Sequence, residues 1–333
     1  MEQRIKDRYN DGILQEAMQR YDIASDRIRM LDSYESFIYE YGRQSEDYIL
    51  RIGHNLHRSE ALIQGEVDWI NYLAAGGVSV ARAVCSESGK LVEIIDDGQG
   101  GDFLVTAFVK ARGTSPWKMG WTPELYQKYG NFLGSMHALS VGYQPTARAI
   151  KRPAWDDDLF EFVERYLPPS EALAKEKYRQ LRAYLHTLPV EETSYGMIHQ
   201  DAHGSNFFVD DSGRITMFDF DECAYGWFIN DIAIALFYIV MDADDWSAFT
   251  SEFMAHFLRG YRQAYPLDPK WLREIPNFLK LREIELYAVM HRDYDVSNIS
   301  HWWDARFMQN RKYKIEHDVP FIDFDFESLS IFL

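Results

Sequence analysis

Cysteine and basic residues are both scarce in this sequence. Cys85 and Cys223 are the only two cysteines in 333 residues, which excludes a framework of several disulfides and a zinc site built from thiolates. The 35 Lys and Arg residues stand against 52 Asp and Glu, and the formal net charge is −17. Because such a field repels polyphosphate backbones, we expect no nucleic-acid partner.

Long hydrophobic runs are absent as well. The longest uninterrupted apolar stretch, residues 232–241, has ten residues, whereas a membrane-spanning helix needs roughly 18 or more. Residues 1–7 are polar and contain no apolar segment of the kind found in a signal peptide. We therefore expect a soluble, cytoplasmic protein that does not span a membrane.

The sequence predicts two parts, an N-terminal lobe over 1–110 and a C-terminal lobe over 111–333. In the first part, β-rich runs between turn residues predict a five-stranded antiparallel sheet. Apolar residues at helical spacing predict one helix, which begins near Glu60 and ends at Gly76-Gly77. The predicted strands are 36–41, 47–53, 78–84, 91–95 and 103–109.

The second part has mostly helical periodicity. Thr122-Pro123-Glu124 combines a capping residue, a proline at the first helical position and an acid in the first turn, and it predicts a helix through Ser140. Asn230-Asp231 is predicted to cap the apolar helix 232–241. Further helical segments are predicted within 158–188, divided at Pro168-Pro169, in a stretch ending at Pro266, and over 271–292.

A segment of loops and short strands, 197–221, interrupts these helices. It contains His199-Gln200-Asp201-Ala202-His203-Gly204-Ser205-Asn206, then two short apolar runs joined by a turn, then Asp219. A hairpin of this kind is expected to return Asp219 toward Asn206 and Asp201 at its open end. Phosphoryl transfer needs a carboxylate near the accepting hydroxyl and oxygen ligands for Mg²⁺, and the segment offers both.

This segment resembles the catalytic and metal loops of the aminoglycoside phosphotransferase and choline kinase family, whose pattern is H-x-D-x-H-x-x-N followed by a D-F-D-like motif. The resemblance implies that Asp201 orients and deprotonates the acceptor hydroxyl. It implies that Asn206 and Asp219 hold the Mg²⁺ that bridges the phosphates of ATP. His199 would brace the loop, and His203 would stand where related protein kinases place a phosphate-facing Lys.

The resemblance extends over roughly residues 33–290 and identifies a nucleotide site in the first lobe. Arg51 stands where many family members carry Lys, and Glu66 matches the acid that pairs with this cation. Strand 102–111 resembles the hinge that meets adenine, around Ala107 and Val109. A G-x-G-x-x-G loop is absent, and Ser33-Tyr34-Glu35-Ser36 stands at the family's nucleotide loop. Asp231 matches a family Asp that hydrogen-bonds the catalytic loop.

Other interpretations of the same residues remain open at this point. His199 and His203 are four apart, as in a zinc-binding pair, which would suit a metal-dependent hydrolase. The missing glycine-rich loop and the Arg at the Lys position would suit a nucleotide-binding regulatory pseudokinase. Arg51 and Glu66 alone could also be a solvated strand cation and an exposed helix acid.

The fold class that we predict is α+β, a two-lobe protein-kinase-like fold with an antiparallel sheet and one helix in the N-lobe and a mostly helical C-lobe. The predicted activity is ATP- and Mg²⁺-dependent phosphoryl transfer to a hydroxyl of a small molecule. Acids after the metal loop favour a cationic amino-hydroxyl acceptor, such as an aminoglycoside, an amino alcohol or an amino sugar. Those acids are Glu222, Asp242, Asp244 and Asp245.

Overall fold

The computed structural model describes residues 1–31, 35–43 and 46–333. Ser33 and Tyr34 of the predicted nucleotide loop, and Gln44 and Ser45 of the first predicted turn, lie outside the described residues. The strands are β1 Ile28–Leu31, β2 Phe37–Arg43, β3 Glu46–His54, β4 Ala83–Val84, β5 Glu93–Asp96, β6 Asp102–Val109, β7 Tyr195–Ile198, β8 Phe207–Val209, β9 Ile215–Met217 and β10 Ala224–Trp227.

Helices occupy most of the remaining described chain. The α-helices are α1 Gln3–Lys6, α2 Asp11–Arg20, α3 Glu60–Ala75, α4 Pro116–Met119, α5 Pro123–Ser140, α6 Phe162–Tyr166, α7 Ala172–Leu185, α8 Phe228–Val240, α9 Trp246–Ala264, α10 Ile275–Asp293, α11 Trp302–Met308 and α12 Arg311–Glu316. Short 3-10 helices cover Arg148–Ile150, Asp158–Phe160, Pro169–Glu171, Pro269–Glu274 and Phe326–Phe332. Within the described part of the chain, no helix combines the length and the apolar character needed to cross a bilayer.

The chain folds into two compact units. The N-terminal unit comprises Met1–Thr114, Tyr143–Arg152 and Phe207–Asp221. The C-terminal unit comprises Ser115–Gly142, Pro153–Asn206 and Glu222–Leu333. The predicted α+β class, with an antiparallel sheet first and a mostly helical part after it, is confirmed.

The N-terminal unit is built on one antiparallel sheet. Its order among the described residues is β1-β2-β3-β6-β4, and β5 also pairs with β6. Successive side chains of a strand point to opposite faces, and on β3 this alternation buries Leu50 and Ile52 completely. These two residues share a core with Ile13 and Ala17 of α2. Arg51, between them, therefore points to the other face.

Two predictions for this unit were wrong. The sheet has six strands in the described residues, because β1 joins the edge and pairs with β2. None of the four side chains of β1 is buried and their exposure does not alternate along the strand, so β1 has no hydrophobic period to recognise. The unit also contains more than one helix, since α1 and α2 precede the predicted helix α3.

The C-terminal unit is organised around tightly packed helices. Helix α5 begins as predicted, with the Thr122 side chain accepting a hydrogen bond from the Leu125 N–H at 3.2 Å. A Cβ on Gly130 would lie 1.9 Å from the Phe257 carbonyl oxygen, so glycine is what allows α5 to approach α9 so closely. The predicted start of α8 was wrong: the helix begins at Phe228, and Asp231 lies inside its first turn.

Candidate active site

In the N-terminal unit, Arg51 and Glu66 form a buried bidentate ion pair. The Arg51 Nη1 and Nη2 atoms donate to the two carboxylate oxygens of Glu66 at 2.8 and 2.6 Å. Their side chains are only 12% and 1% exposed. Burial opposes the charged form of Arg51, but the charges of Glu66, Asp221 and Asp219 outweigh it, and its pKa is raised. The pair is therefore a fixed cation within electrostatic reach of Asp219, rather than two solvated side chains.

Ala107 and Val109 lie on β6 beside the strand that carries Arg51. Ala107 pairs with Leu50 on one side and with Val84 on the other, and it is completely buried. Val109 pairs with Tyr48, and its N–H donates to the Arg82 carbonyl at 3.0 Å. Both residues therefore lie on the strand beside the one that carries Arg51, with side chains on the face opposite the Arg51 side chain, and their contact with adenine stays a prediction.

The motif around Asp219 is anchored by the aromatic residue within it. Phe220 is 1% exposed and packs edge-to-face on Trp69 of α3, with ring centroids 5.4 Å apart. Asp219 has φ of 65°, a left-handed conformation that Asp tolerates better than most residues. Asp221 accepts a hydrogen bond from the Arg58 Nε at 2.9 Å. Burial would raise the pKa of Asp221, but Arg58 and other nearby cations outweigh burial and lower the pKa to about 2.

In the C-terminal unit, a buried carboxylate holds the backbone of the catalytic loop. Asp231 accepts the N–H groups of His199 at 2.9 Å and Gln200 at 2.8 Å. Gln200 has φ of 65°, so the loop makes a left-handed turn at this point. His137 lies with Nε2 at 3.2 Å from Asp231 and with Nδ1 at 2.8 Å from the Tyr261 hydroxyl. The predicted contact of Asp231 with the loop is confirmed, and His137 is a buried, satisfied histidine that orients Asp231.

Three residues of the motif meet at the Asp201 carboxylate or its backbone. The Asn206 Nδ2 atom donates to Asp201 Oδ2 and to the Asp201 carbonyl, both at 2.9 Å. The His203 Nε2 atom lies 3.2 Å from Asp201 Oδ2. His203 Nδ1 accepts the Ser205 N–H at 3.1 Å, which places the ring proton on Nε2. His199 Nδ1 accepts the Asp201 N–H at 3.3 Å and so braces the loop.

The sequence interpretation missed Arg282 and Tyr238. The Arg282 Nη2 atom donates to Asp201 Oδ1, and it also donates to the Tyr238 hydroxyl at 2.6 Å. Burial would raise the pKa of Asp201, but His203 and Arg282 outweigh it and the pKa is lowered. Helix α10 also carries Lys280, Glu283 and Glu285, so the sequence alone does not single out Arg282.

Asn206 and Asp219, the two predicted metal ligands, each carry an oxygen atom of a kind that binds divalent cations, and their joint role stays a prediction. The Asn206 amide nitrogen donates to Asp201, so its oxygen is the atom that can bind a cation. An amide oxygen and a carboxylate are the donors that Mg²⁺ prefers. Asn206 belongs to the C-terminal unit and Asp219 to the N-terminal unit.

The zinc-pair interpretation of the two histidines finds no support in the geometry. His199 Nδ1 and His203 Nδ1 each accept a backbone N–H. Among the described residues, the one group of three possible metal ligands is Glu35, His57 and Asp221, and it includes neither histidine.

The fold and the site together define a kinase-like phosphotransferase, and comparison with known proteins identifies its family. The phosphotransferase enzyme family matches residues 32–275. Amicoumacin kinase of Bacillus subtilis (strain 168) is 37% identical over 325 residues, which cover 96% of each chain. This chain belongs to the phosphotransferase enzyme family. It is an ATP-dependent small-molecule kinase that uses a divalent metal and transfers phosphate to a hydroxyl, as predicted.

Solved structures agree with this assignment. The structure of amicoumacin kinase hAmiN in complex with AMP-PNP, Ca²⁺ and Ami superposes with a TM-score of 0.94 at 36% identity, covering 99% of this chain and 100% of that one. The microcompartment-associated aminopropanol kinase superposes with a TM-score of 0.73 at 24% identity, covering 92% and 95%. The second comparison supports the fold alone.

Proposed function

We propose that this enzyme transfers the γ-phosphoryl group of ATP to a hydroxyl of amicoumacin or of a closely related amino-hydroxyl compound. The observation that carries the proposal is the 37% identity with an amicoumacin kinase along 96% of both chains. A TM-score of 0.94 to an amicoumacin kinase in complex with its ligands supports it. This proposed acceptor is consistent with the class that the sequence alone favoured, a cationic amino-hydroxyl compound.

The N-terminal lobe, residues 1–110, binds the nucleotide in this proposal. Arg51 neutralises charge on the α- and β-phosphates, and Glu66 fixes its guanidinium so that little ordering is needed when ATP binds. Backbone groups of the segment from Ala107 to Val109 meet the adenine. Asn206 and Asp219 would hold Mg²⁺, which would supply positive charge against the charge that develops on the phosphates.

The C-terminal lobe, residues 111–333, provides the catalytic loop and the acceptor site. Asp201 accepts a hydrogen bond from the acceptor hydroxyl and aligns its oxygen with the γ-phosphorus. A bond forms between that oxygen and the γ-phosphorus while the bond to the β,γ-bridging oxygen breaks, and ADP leaves with the electron pair. The hydroxyl proton passes to Asp201. His199 and His203 serve this step by fixing the loop and the carboxylate.

The acceptor site extends from Asp201 along an aromatic surface. The Tyr238 ring lies against His203 at 4.4 Å between centroids and stacks with Trp303 at 5.8 Å. Glu222, one of the four acids that the sequence suggested, lies with its carboxylate 3.9 Å from Arg282, which contacts Tyr238. Asp245 instead caps α9 through the Ala248 N–H. We therefore assign Glu222 and the aromatic pair, rather than Asp245, to acceptor recognition.

The proposed compartment is the cytoplasm, where ATP is available, and the proposed partner is a small molecule rather than nucleic acid. The net negative charge of the chain supports a small-molecule partner over nucleic acid, because it repels a polyphosphate backbone.

A substrate panel tests the proposed function. Purified enzyme with ATP and Mg²⁺ is supplied with amicoumacin, aminopropanol or an aminoglycoside, and products are detected by mass spectrometry. We expect one added phosphoryl group on amicoumacin, with kcat/KM at least about 100-fold above that for the other acceptors, because a matched pocket contributes several kcal/mol. Equal rates on all acceptors, or no amicoumacin phosphate, would contradict the proposal.

A further inference from the structure

We propose that Arg282 is a positioning residue for Asp201, and that it directs the acceptor hydroxyl to the Oδ1 atom of that carboxylate. The inference rests on the proposed role of Asp201 and adds a residue and an atom to it. Arg282 lies on α10, 81 positions from Asp201 in the sequence.

The hydrogen bonds already made by Asp201 leave one favourable position for a hydroxyl. Each carboxylate oxygen accepts about two hydrogen bonds. Oδ2 receives the Asn206 amide at 2.9 Å and faces the protonated Nε2 of His203 at 3.2 Å, so both of its positions are used. Oδ1 receives the Arg282 Nη2, and no other donor from the described residues occupies its second position. The acceptor hydroxyl is therefore expected beside the guanidinium.

Arg282 is itself held firmly enough to set this geometry. Its Nε and Nη2 atoms donate to the Tyr238 hydroxyl at 3.1 and 2.6 Å, and its guanidinium lies 5.3 Å from the centroid of the Tyr238 ring. Glu222 lies 3.9 Å from its Nη1 atom. The side chain is 12% exposed. A planar cation fixed on both sides can prevent rotation of the carboxylate that it contacts.

Loss of this constraint is expected to affect the chemical step more than nucleotide binding. A carboxylate free to rotate presents the hydroxyl in poor alignment, and a misplacement of about 1 Å can cost on the order of 100-fold in rate. Arg51 and Glu66 belong to the other unit and make no use of Arg282. The effect should therefore appear in kcat, while the KM for ATP stays close to that of the unmodified enzyme.

The test uses steady-state kinetics of Arg282→Ala with chemical rescue. We expect kcat to fall about 100-fold and the KM for ATP to change less than threefold. Millimolar guanidinium chloride, far below denaturing concentrations, should restore part of kcat because the free cation can occupy the vacated position. Arg292→Ala is the matched control, since Arg292 lies on the same helix and pairs with Asp293 at 2.8 Å. It should show neither the loss nor the rescue.

Tyr238→Phe provides a second test should Arg282→Ala not fold. This change keeps the guanidinium and removes the hydroxyl that orients it, so kcat should fall several-fold at unchanged KM for ATP. A kcat of Arg282→Ala within threefold of the unmodified enzyme, or a loss that guanidinium does not restore, would overturn the inference. An inactive Asp201→Ala together with a fully active Arg282→Ala would overturn this inference alone, whereas an active Asp201→Ala would overturn the proposed function.

Discussion

The guanidinium of Arg51 meets both carboxylate oxygens of Glu66, at 2.8 and 2.6 Å, in the interior of the N-terminal unit. A pair with this geometry is preorganised, and many family members place a Lys where this chain has Arg. Lys offers a point charge and cannot make the same fork of hydrogen bonds. Arg51 is therefore a more rigidly held cation than a Lys at this position would be, which suits the phosphate contact proposed for it.

Removal of the Arg51 charge should weaken ATP binding. We expect Arg51→Ala to raise the KM for ATP at least about tenfold, and Arg51→Lys to raise it less, because Lys keeps the charge and loses the bidentate geometry. Initial rates at varied ATP measure both. Arg29→Ala is the control, because Arg29 is an exposed cation that pairs with Glu40 at 2.6 Å. Unchanged KM for ATP in Arg51→Ala would show that this cation does not bind phosphate.

Asp231→Asn should loosen the catalytic loop and lower stability. Asn presents one acceptor oxygen in place of two, and its amide would face a backbone N–H of His199 or Gln200. We expect the free energy of unfolding to fall by about 2 kcal/mol, together with a lower kcat. Urea unfolding followed by fluorescence measures the first. The control Asp245→Ala removes a helix cap and should cost about 1 kcal/mol with kcat unchanged.

Glu285 should make stability fall as pH rises. Burial raises its pKa from 4.5 to about 7, although Arg282 and Arg182 act in the opposite direction. The folded state therefore holds a proton between pH 4.5 and 7 that the unfolded chain releases, and this contribution is complete below pH 4.5 and lost as pH rises through 7. The loss amounts to about 3 kcal/mol.

Urea unfolding of the unmodified enzyme and Glu285→Gln at several pH values isolates this contribution. Gln cannot ionise, so the difference in unfolding free energy between the two proteins should change by about 3 kcal/mol from pH 4 to pH 8, in favour of the variant. The exposed Glu252→Gln serves as control and should show no such change. A constant difference for Glu285→Gln would mean that this carboxyl is ionised when buried.

Gly130→Ala tests the close packing of α5 on α9. The new Cβ would lie 1.9 Å from the Phe257 carbonyl oxygen, so the helices must separate. We expect a loss of about 3 kcal/mol or more in unfolding free energy. A Cβ on Gly42 would meet nothing nearer than 3.8 Å, at Asp47 Oδ1. Gly42→Ala should therefore leave the melting temperature nearly unchanged, and equal effects of the two changes would contradict the packing argument.

Local signals in the sequence predicted the elements that carry them. Thr122, Pro123 and Glu124 gave the start of α5, because caps act within one helical turn. The strand β1 carries no such signal, since none of its side chains is buried. The start of α8 was misplaced because Asp231 looks like a capping residue in sequence, while its side chain reaches His199 and Gln200.

The site was predictable where its residues are close in sequence. Asp201, His203 and Asn206 lie within one short motif, and the structure brings all three into contact. Arg282 was not predictable in this way, because its contact with Asp201 depends on the packing of α10 against the catalytic loop. The identity of the acceptor depends on similar long-range contacts. The sequence therefore predicted the type of reaction but only a broad class of acceptor.

The most direct test of the central claim is to measure ATP binding and turnover on the same preparation of Asp201→Ala. Calorimetric titration of ATP with Mg²⁺ should give an affinity within a fewfold of the unmodified enzyme, because the nucleotide-binding residues are unchanged. Turnover with amicoumacin should fall by about 1,000-fold or more, since the group that aligns and deprotonates the hydroxyl is missing. Near-normal turnover by this variant would contradict the assignment of Asp201 and the mechanism built on it.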